Sequence, residues 1–140
     1  MVARLERGPT VWTVFDDERV CVRARRGGGY VYVAAWVKPE RARVPLGWKV
    51  ATAGVVEWML DDAERMAWVS TVLTRHAGGD WGDVDAEDAR ANDEALRDGG
   101  RLLSAWRLPE HARGSAPDDR LWVLTEADRS VTTLMWPSDY

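Results

Sequence analysis

Three glycine runs cut this chain where its hydrophobic periodicity changes, and they restrict the available folds more than any other feature. Gly27-Gly28-Gly29 lies inside a stretch of period-two alternation, whereas Gly78-Gly79 and Gly99-Gly100 each close a stretch with helical spacing. Glycine reaches positive φ without steric cost, so it serves both hairpin turns and helix ends. The resulting order predicts an α+β fold: an antiparallel β-meander, two to three helices, then a C-terminal three-stranded antiparallel sheet.

The first part reads as strands at Val11–Phe15, Arg19–Arg25 and Tyr30–Val37, with Asp16-Asp17 and residues 26–29 as turns. A loop at 26–29 sets Arg25 opposite Tyr30 and Arg23 opposite Tyr32. Val20, Val22, Ala24, Val31, Val33 and Ala35 then share one face, and a slip by one residue would bury arginine among them. The other face carries Arg23, Arg25, Tyr30, Tyr32 and Trp36. A further strand is expected over Arg43–Val50, interrupted by Pro45 and Gly47. Thr52 can cap a short helix through Leu60, and Asp61 with Glu64 has capping-box spacing for a second running to His76. Met66, Val69, Val72 and Leu73 lie on one side of that helix. A third helix opens near Asp85, where Glu87 and Asp88 favour the macrodipole, and its sparse apolar content places it at the surface. Arg101–Leu108, Arg120–Thr125 and Val131–Trp136 are strands by composition, and Pro137 stops the last.

With 140 residues, 46% of them apolar, the chain suits a single domain over 1–140, comprising β-rich residues 1–50 and helices plus sheet in 51–140. No apolar run approaches the roughly 20 residues of a membrane span, and the opening MVARLERGPT lacks a secretory apolar core. Cys21 stands alone, without CxxC or HxxxH spacing. A cytoplasmic protein without membrane contact, cofactor or metal is expected. Nine tryptophans are many for this length, and such large apolar rings belong in a core or an interface. Charge is split: residues 1–50 carry ten basic and five acidic side chains, residues 51–140 nine and eighteen. The halves can attract each other, or present two faces to different partners.

Arg75-His76, Gly79-Asp80-Trp81-Gly82, Glu87-Asp88, Asn92, Leu103-Ser104-Ala105, Trp122, Thr125-Glu126-Ala127-Asp128-Arg129-Ser130, Thr132-Thr133, Pro137 and Tyr140 form a pattern across residues 73–140. In these residues the chain resembles a group of small uncharacterised proteins borne by plasmids, phages and integrated elements. It departs from that group at Trp106, at Met135-Trp136 and in a longer 109–119 loop. The resemblance implies a mobile-element origin and no particular activity. A methyltransferase label attached to some such proteins is rejected, because the Asn-Pro-Pro-aromatic motif and a glycine-rich cofactor loop are missing. Residues 1–50 fall outside the resemblance and are expected to adapt the protein to a partner.

Four groups could carry chemistry. Asp80, Asp83, Asp85 and Glu87, with His76 as base, offer oxygen ligands for a hard cation, though no EF-hand spacing is present and helix capping explains the same carboxylates. Glu126, Asp128 and Arg129 could join His76 and Asp80 in a catalytic constellation; alternatively they satisfy a turn, with Arg129 paired to Asp80. A metal-dependent hydrolase or nuclease using His76, Asp80, Asp83 and Asp128 is thus one alternative. The Arg23, Arg25, Tyr30, Tyr32 and Trp36 face could stack single-stranded bases and neutralise phosphates, or simply make cation–π cover. Finally, Asp80 to Asp98 holds eight carboxylates against two arginines, enough to enter a basic groove on another protein. The favoured expectation is this last one: non-catalytic binding of another protein, a host defence component, through Asp80, Trp81, Asp83, Asp85, Glu87, Asp88 and Arg129.

Overall fold

The computed structural model describes residues 42–60 and 62–140 with their side chains, and the backbone of three short strands before them. Those strands are β1 (Ala3–Leu5), β2 (Trp12–Val14) and β3 (Tyr30–Tyr32). They are followed by β4 (Trp48–Thr52), α1 (Ala53–Met59), α2 (Ala63–Ala77), α3 (Ala86–Asp98), β5 (Leu102–Arg107), α4 (Glu110–Arg113), β6 (Arg120–Thr125) and β7 (Val131–Met135). A 3-10 turn at Pro137–Asp139 follows β7. The fold is α+β. Among the described residues, no helix is long and apolar enough to cross a membrane.

One five-stranded sheet has the order β3-β4-β7-β6-β5, and β1 pairs with β2 in a separate two-stranded sheet. This corrects the expected division into an N-terminal meander and a C-terminal three-stranded sheet. Strands β5, β6 and β7 are antiparallel neighbours as expected, but β4 lies parallel to β7, with Trp48 opposite Val131 and Ala51 opposite Leu134. On its other side β4 pairs with β3, setting Tyr30 opposite Thr52 and Tyr32 opposite Val50. The expected Arg19–Arg25 strand and its register against Tyr30–Val37 lie outside the described residues.

The strand expected at Arg43–Val50 begins instead at Trp48. Before it, Arg43 N–H and Val44 N–H both donate to the Ala77 carbonyl, at 2.7 and 2.9 Å, and Pro45 has no N–H to give a ladder. Gly47 holds φ +63°, and a Cβ there would overlap the Ser130 carbonyl. Its absence lets Trp48 N–H reach Ser130 O at 3.0 Å, which starts the parallel pairing.

Helix α2 starts one residue later than expected, with Asp62 accepting from Arg65 N–H at 3.0 Å; Asp61, the expected cap, lies outside the described residues. Thr52 precedes α1 but makes no capping bond; its hydroxyl donates to Asp139 at 2.6 Å. Val69, Val72, Leu73 and Ala77 pack in one core with Ala51, Leu102, Trp106, Leu121, Val123, Leu134 and Trp136. Burying each large apolar side chain contributes about 1.5–3 kcal/mol. Among the described residues the tryptophans divide between core and surface. Trp58, Trp81, Trp106 and Trp136 are buried, while Trp48 is 53% exposed. Trp58 donates to the Ala112 carbonyl at 2.9 Å and meets Trp136 edge-on, with centroids 5.2 Å apart, which ties α4 and its loop to the core.

Candidate functional site

Most residues of the 73–140 pattern gather where the C-terminal end of α2, the 78–85 loop, α3, β5 and the β6–β7 turn meet, while Trp122 and Tyr140 meet each other edge-on with centroids 5.8 Å apart. His76 occupies the last turn of α2 and is completely buried. Its Nδ1 lies 2.7 Å from Ser104 Oγ and its Nε2 lies 2.8 Å from Thr125 Oγ1. Thr125 Oγ1 is 2.8 Å from Thr132 Oγ1, which donates to the Leu46 carbonyl at 2.7 Å. Trp106 Nε1–H donates to Ser104 Oγ at 2.6 Å.

Proton accounting gives this chain a direction. The Leu46 carbonyl can only accept, so Thr132 spends its one proton there and must accept from Thr125. Thr125 has then no second proton, so His76 Nε2–H donates to it, and Nδ1 accepts from Ser104 Oγ–H. The neutral ring with its hydrogen on Nε2 satisfies every member. Burial first, and the nearby Arg129 charge second, lower the His76 pKa to about 4. Ser104 and His76 have the spacing of a nucleophile and its base. Neither is exposed, however, and Ser104 also receives the indole proton, so the pair is closed to a substrate.

The loop after α2 covers an edge strand. Gly82 holds φ +69°, and a Cβ there would overlap the Ala105 carbonyl and the Trp106 ring. This close approach lets Ala105 N–H donate to Trp81 O at 3.2 Å and Asp83 N–H donate to Ala105 O at 2.6 Å. Asp83 Oδ2 accepts from Arg107 N–H at 2.8 Å. Asn92 of α3 accepts from Leu103 N–H at 3.0 Å and donates to Leu103 O at 2.8 Å. The outward backbone groups of β5 are thereby paired at Leu103 and Ala105, and at the Arg107 N–H, by loop backbone and side chains in place of a sixth strand.

Remaining members of the pattern hold this cover in place. Asp80 takes both Arg75 Nε (2.9 Å) and a terminal guanidinium nitrogen (2.8 Å), and its other oxygen accepts from Gly82 N–H at 2.9 Å. The Arg75 guanidinium lies 4.8 Å from the Trp106 ring centroid. Trp81 is buried edge-on to His76 and donates to Asp93 at 2.9 Å. Asp85 caps α3 by accepting from Asp88 N–H at 2.7 Å. The expected Arg129–Asp80 pair does not form. Arg129, at φ 61°, donates to Gly100 O at 2.5 Å, Ala95 O at 3.1 Å and Glu126 O at 3.1 Å. Three carbonyls, at the C-terminal end of α3 and in the β6–β7 turn, take this cation, whereas Asp80 is already bound by Arg75.

Glu126 pairs with Arg101 at 3.0 Å. Asp128 accepts from Ser130 N–H at 2.9 Å, and hydrogen bonds from Ser130 lower its pKa. His76, Asp80, Asp83 and Asp128 therefore each serve a different partner, and no contact joins them in one constellation. Among the described residues, no three His, Cys, Asp or Glu side chains are grouped to hold a metal ion. Arg23, Arg25 and Trp36 lie outside the described residues, and Tyr30 and Tyr32 are described only as backbone of β3. Glu87 and Asp88 are exposed on the first turn of α3.

Sequence reasoning missed the hydroxyl relay. Its signal is the period-two alternation: Leu102-Ser104-Trp106, Leu121-Val123-Thr125 and Thr132-Leu134 point inward, and each carries one hydroxyl on an otherwise apolar row. Comparison with protein-family models, curated proteins and solved structures finds no match to this chain.

Proposed function

We propose that this chain is a non-catalytic protein-binding module of a mobile genetic element, whose acidic α3 face enters a basic groove on a host defence protein. The observation that carries the reading is the division of labour among the carboxylates of 80–98. Asp80, Asp83, Asp85 and Asp93 are spent on bracing the loop and helix. Glu87, Asp88 and Glu94 are exposed, with no side-chain ion pair among the described residues. Glu87 and Glu94 are seven residues apart, two helical turns, so they share one outward stripe with Asp98. Helix α3 is fixed at its start by Asp85, in its middle by Asn92 and Asp93, and at its end by Arg129. A rigid array of charges loses little entropy on docking and steers a basic partner.

The test is capture from host extract with the wild-type chain and with the double variant Glu87→Lys/Glu94→Lys. A partner held by the wild type, released by raised salt and bound at least about tenfold more weakly by the variant agrees with the reading. Equal capture by both proteins, or no specific partner, removes it.

A further inference from the structure

We infer that His76 is an acid-responsive latch between α2 and the sheet: the hydroxyl relay accepts only the neutral ring with hydrogen on Nε2, so protonation of Nδ1 releases the helix end. The geometry imposes this. Thr132 is bound to commit its proton to Leu46 O, which orders Thr125 and fixes Nε2–H, while Ser104 must supply the proton for Nδ1. A hydrogen on Nδ1 would face the Ser104 proton across an Nδ1–Oγ separation of 2.7 Å. Ser104 could turn away only by sending that proton into a core where its oxygen already receives Trp106 Nε1–H.

The surroundings offer the imidazolium no compensation. Strands β5, β6 and β7 present hydroxyls to the network through Ser104, Thr125 and Thr132, and the 78–85 loop presents the Trp81 ring. The charge acting on the ring is the Arg129 cation of the β6–β7 turn, which is repulsive. On α2 itself Arg75 is bound to Asp80, and Arg43, ahead of β4, lies against Gly79. No carboxylate contacts either ring nitrogen among the described residues.

The sign follows from linkage. Burial depresses the folded-state pKa to about 4 against an unfolded value of 6.5, so the unfolded chain takes up the proton first. The stabilisation is complete above pH 6.5, falls as pH drops from 6.5 to about 4, and is level below that. The comparison variant is His76→Gln, whose amide can donate to Thr125 and accept from Ser104 without titrating. Unfolding by urea from pH 7 to pH 4 should show the wild-type folding constant falling on the order of 100-fold more than that of the variant. Nitrogen-15 spectra of the wild-type ring at pH 7 should show the hydrogen on Nε2, with titration below pH 5. Parallel pH curves for the two proteins, hydrogen on Nδ1, or a ring titrating above pH 6 would each overturn the latch. If the variant fails to fold, the wild-type spectra decide alone.

Discussion

Gly82 is a residue at which the loop leaves no room for a side chain against the sheet. Its positive φ is one constraint and the lack of room for a Cβ beside Ala105 O is another, so a substitution meets both together. Gly82→Ala is expected to cost roughly 2–3 kcal/mol, read as a lower urea midpoint at unchanged slope. A loss below about 0.5 kcal/mol, the range of ordinary surface changes, would mean that the loop does not seat on β5 as described. His76 shows how a residue singled out in the sequence takes its role from distant partners. A histidine in the last turn of a helix is more often a dipole partner than a catalyst, and here the ring turns inward and is shielded completely. What decides its direction is three hydroxyls on strands far along the chain.

At the scale of elements, α3 replaces a strand. Its apolar side is thin, as the composition foretold, and its attachment to β5 runs through polar pairs instead: Asn92 with Leu103, and Asp93 with the Trp81 indole. Asn92→Ala strips both partners from the Leu103 backbone and is expected to cost about 2 kcal/mol. Amide exchange at Leu103 should then quicken well beyond that of Val123, whose strand is interior to the sheet. Equal protection at the two sites would show that the edge is held by something other than Asn92. The bounds of α3, and of α2 to within a residue at its start, were legible because caps and glycines act within one turn of chain, and those of β6 from its composition. Helix α4 was not: Glu110–Arg113 sits in a loop whose Pro109 and Gly114 signal a turn, and the Trp58 indole holds its last carbonyls from more than fifty residues away.

For the molecule as a whole, the parallel contact between β4 and β7 was the feature that no local signal could give. Hairpin turns announce antiparallel neighbours, but a parallel pair needs a crossover, and here the crossover comprises α1, α2, α3, β5, α4 and β6. The acidic patch and the 80–83 loop were visible as a cluster of residue types, whereas their spatial roles depended on that topology. The strand at the centre of the sheet order, β7, is also the last to appear in the chain. A chain stopped at Ser130 is therefore expected to show no cooperative unfolding transition by circular dichroism; a sharp one would mean that β4 and β6 can be held without β7. On a ribosome the sheet could not close until synthesis had passed Met135. Until then the facing edges of β4 and β6 stay unpaired in the nascent chain, and the interval is one in which chaperones, not the protein's own ladder, must protect them.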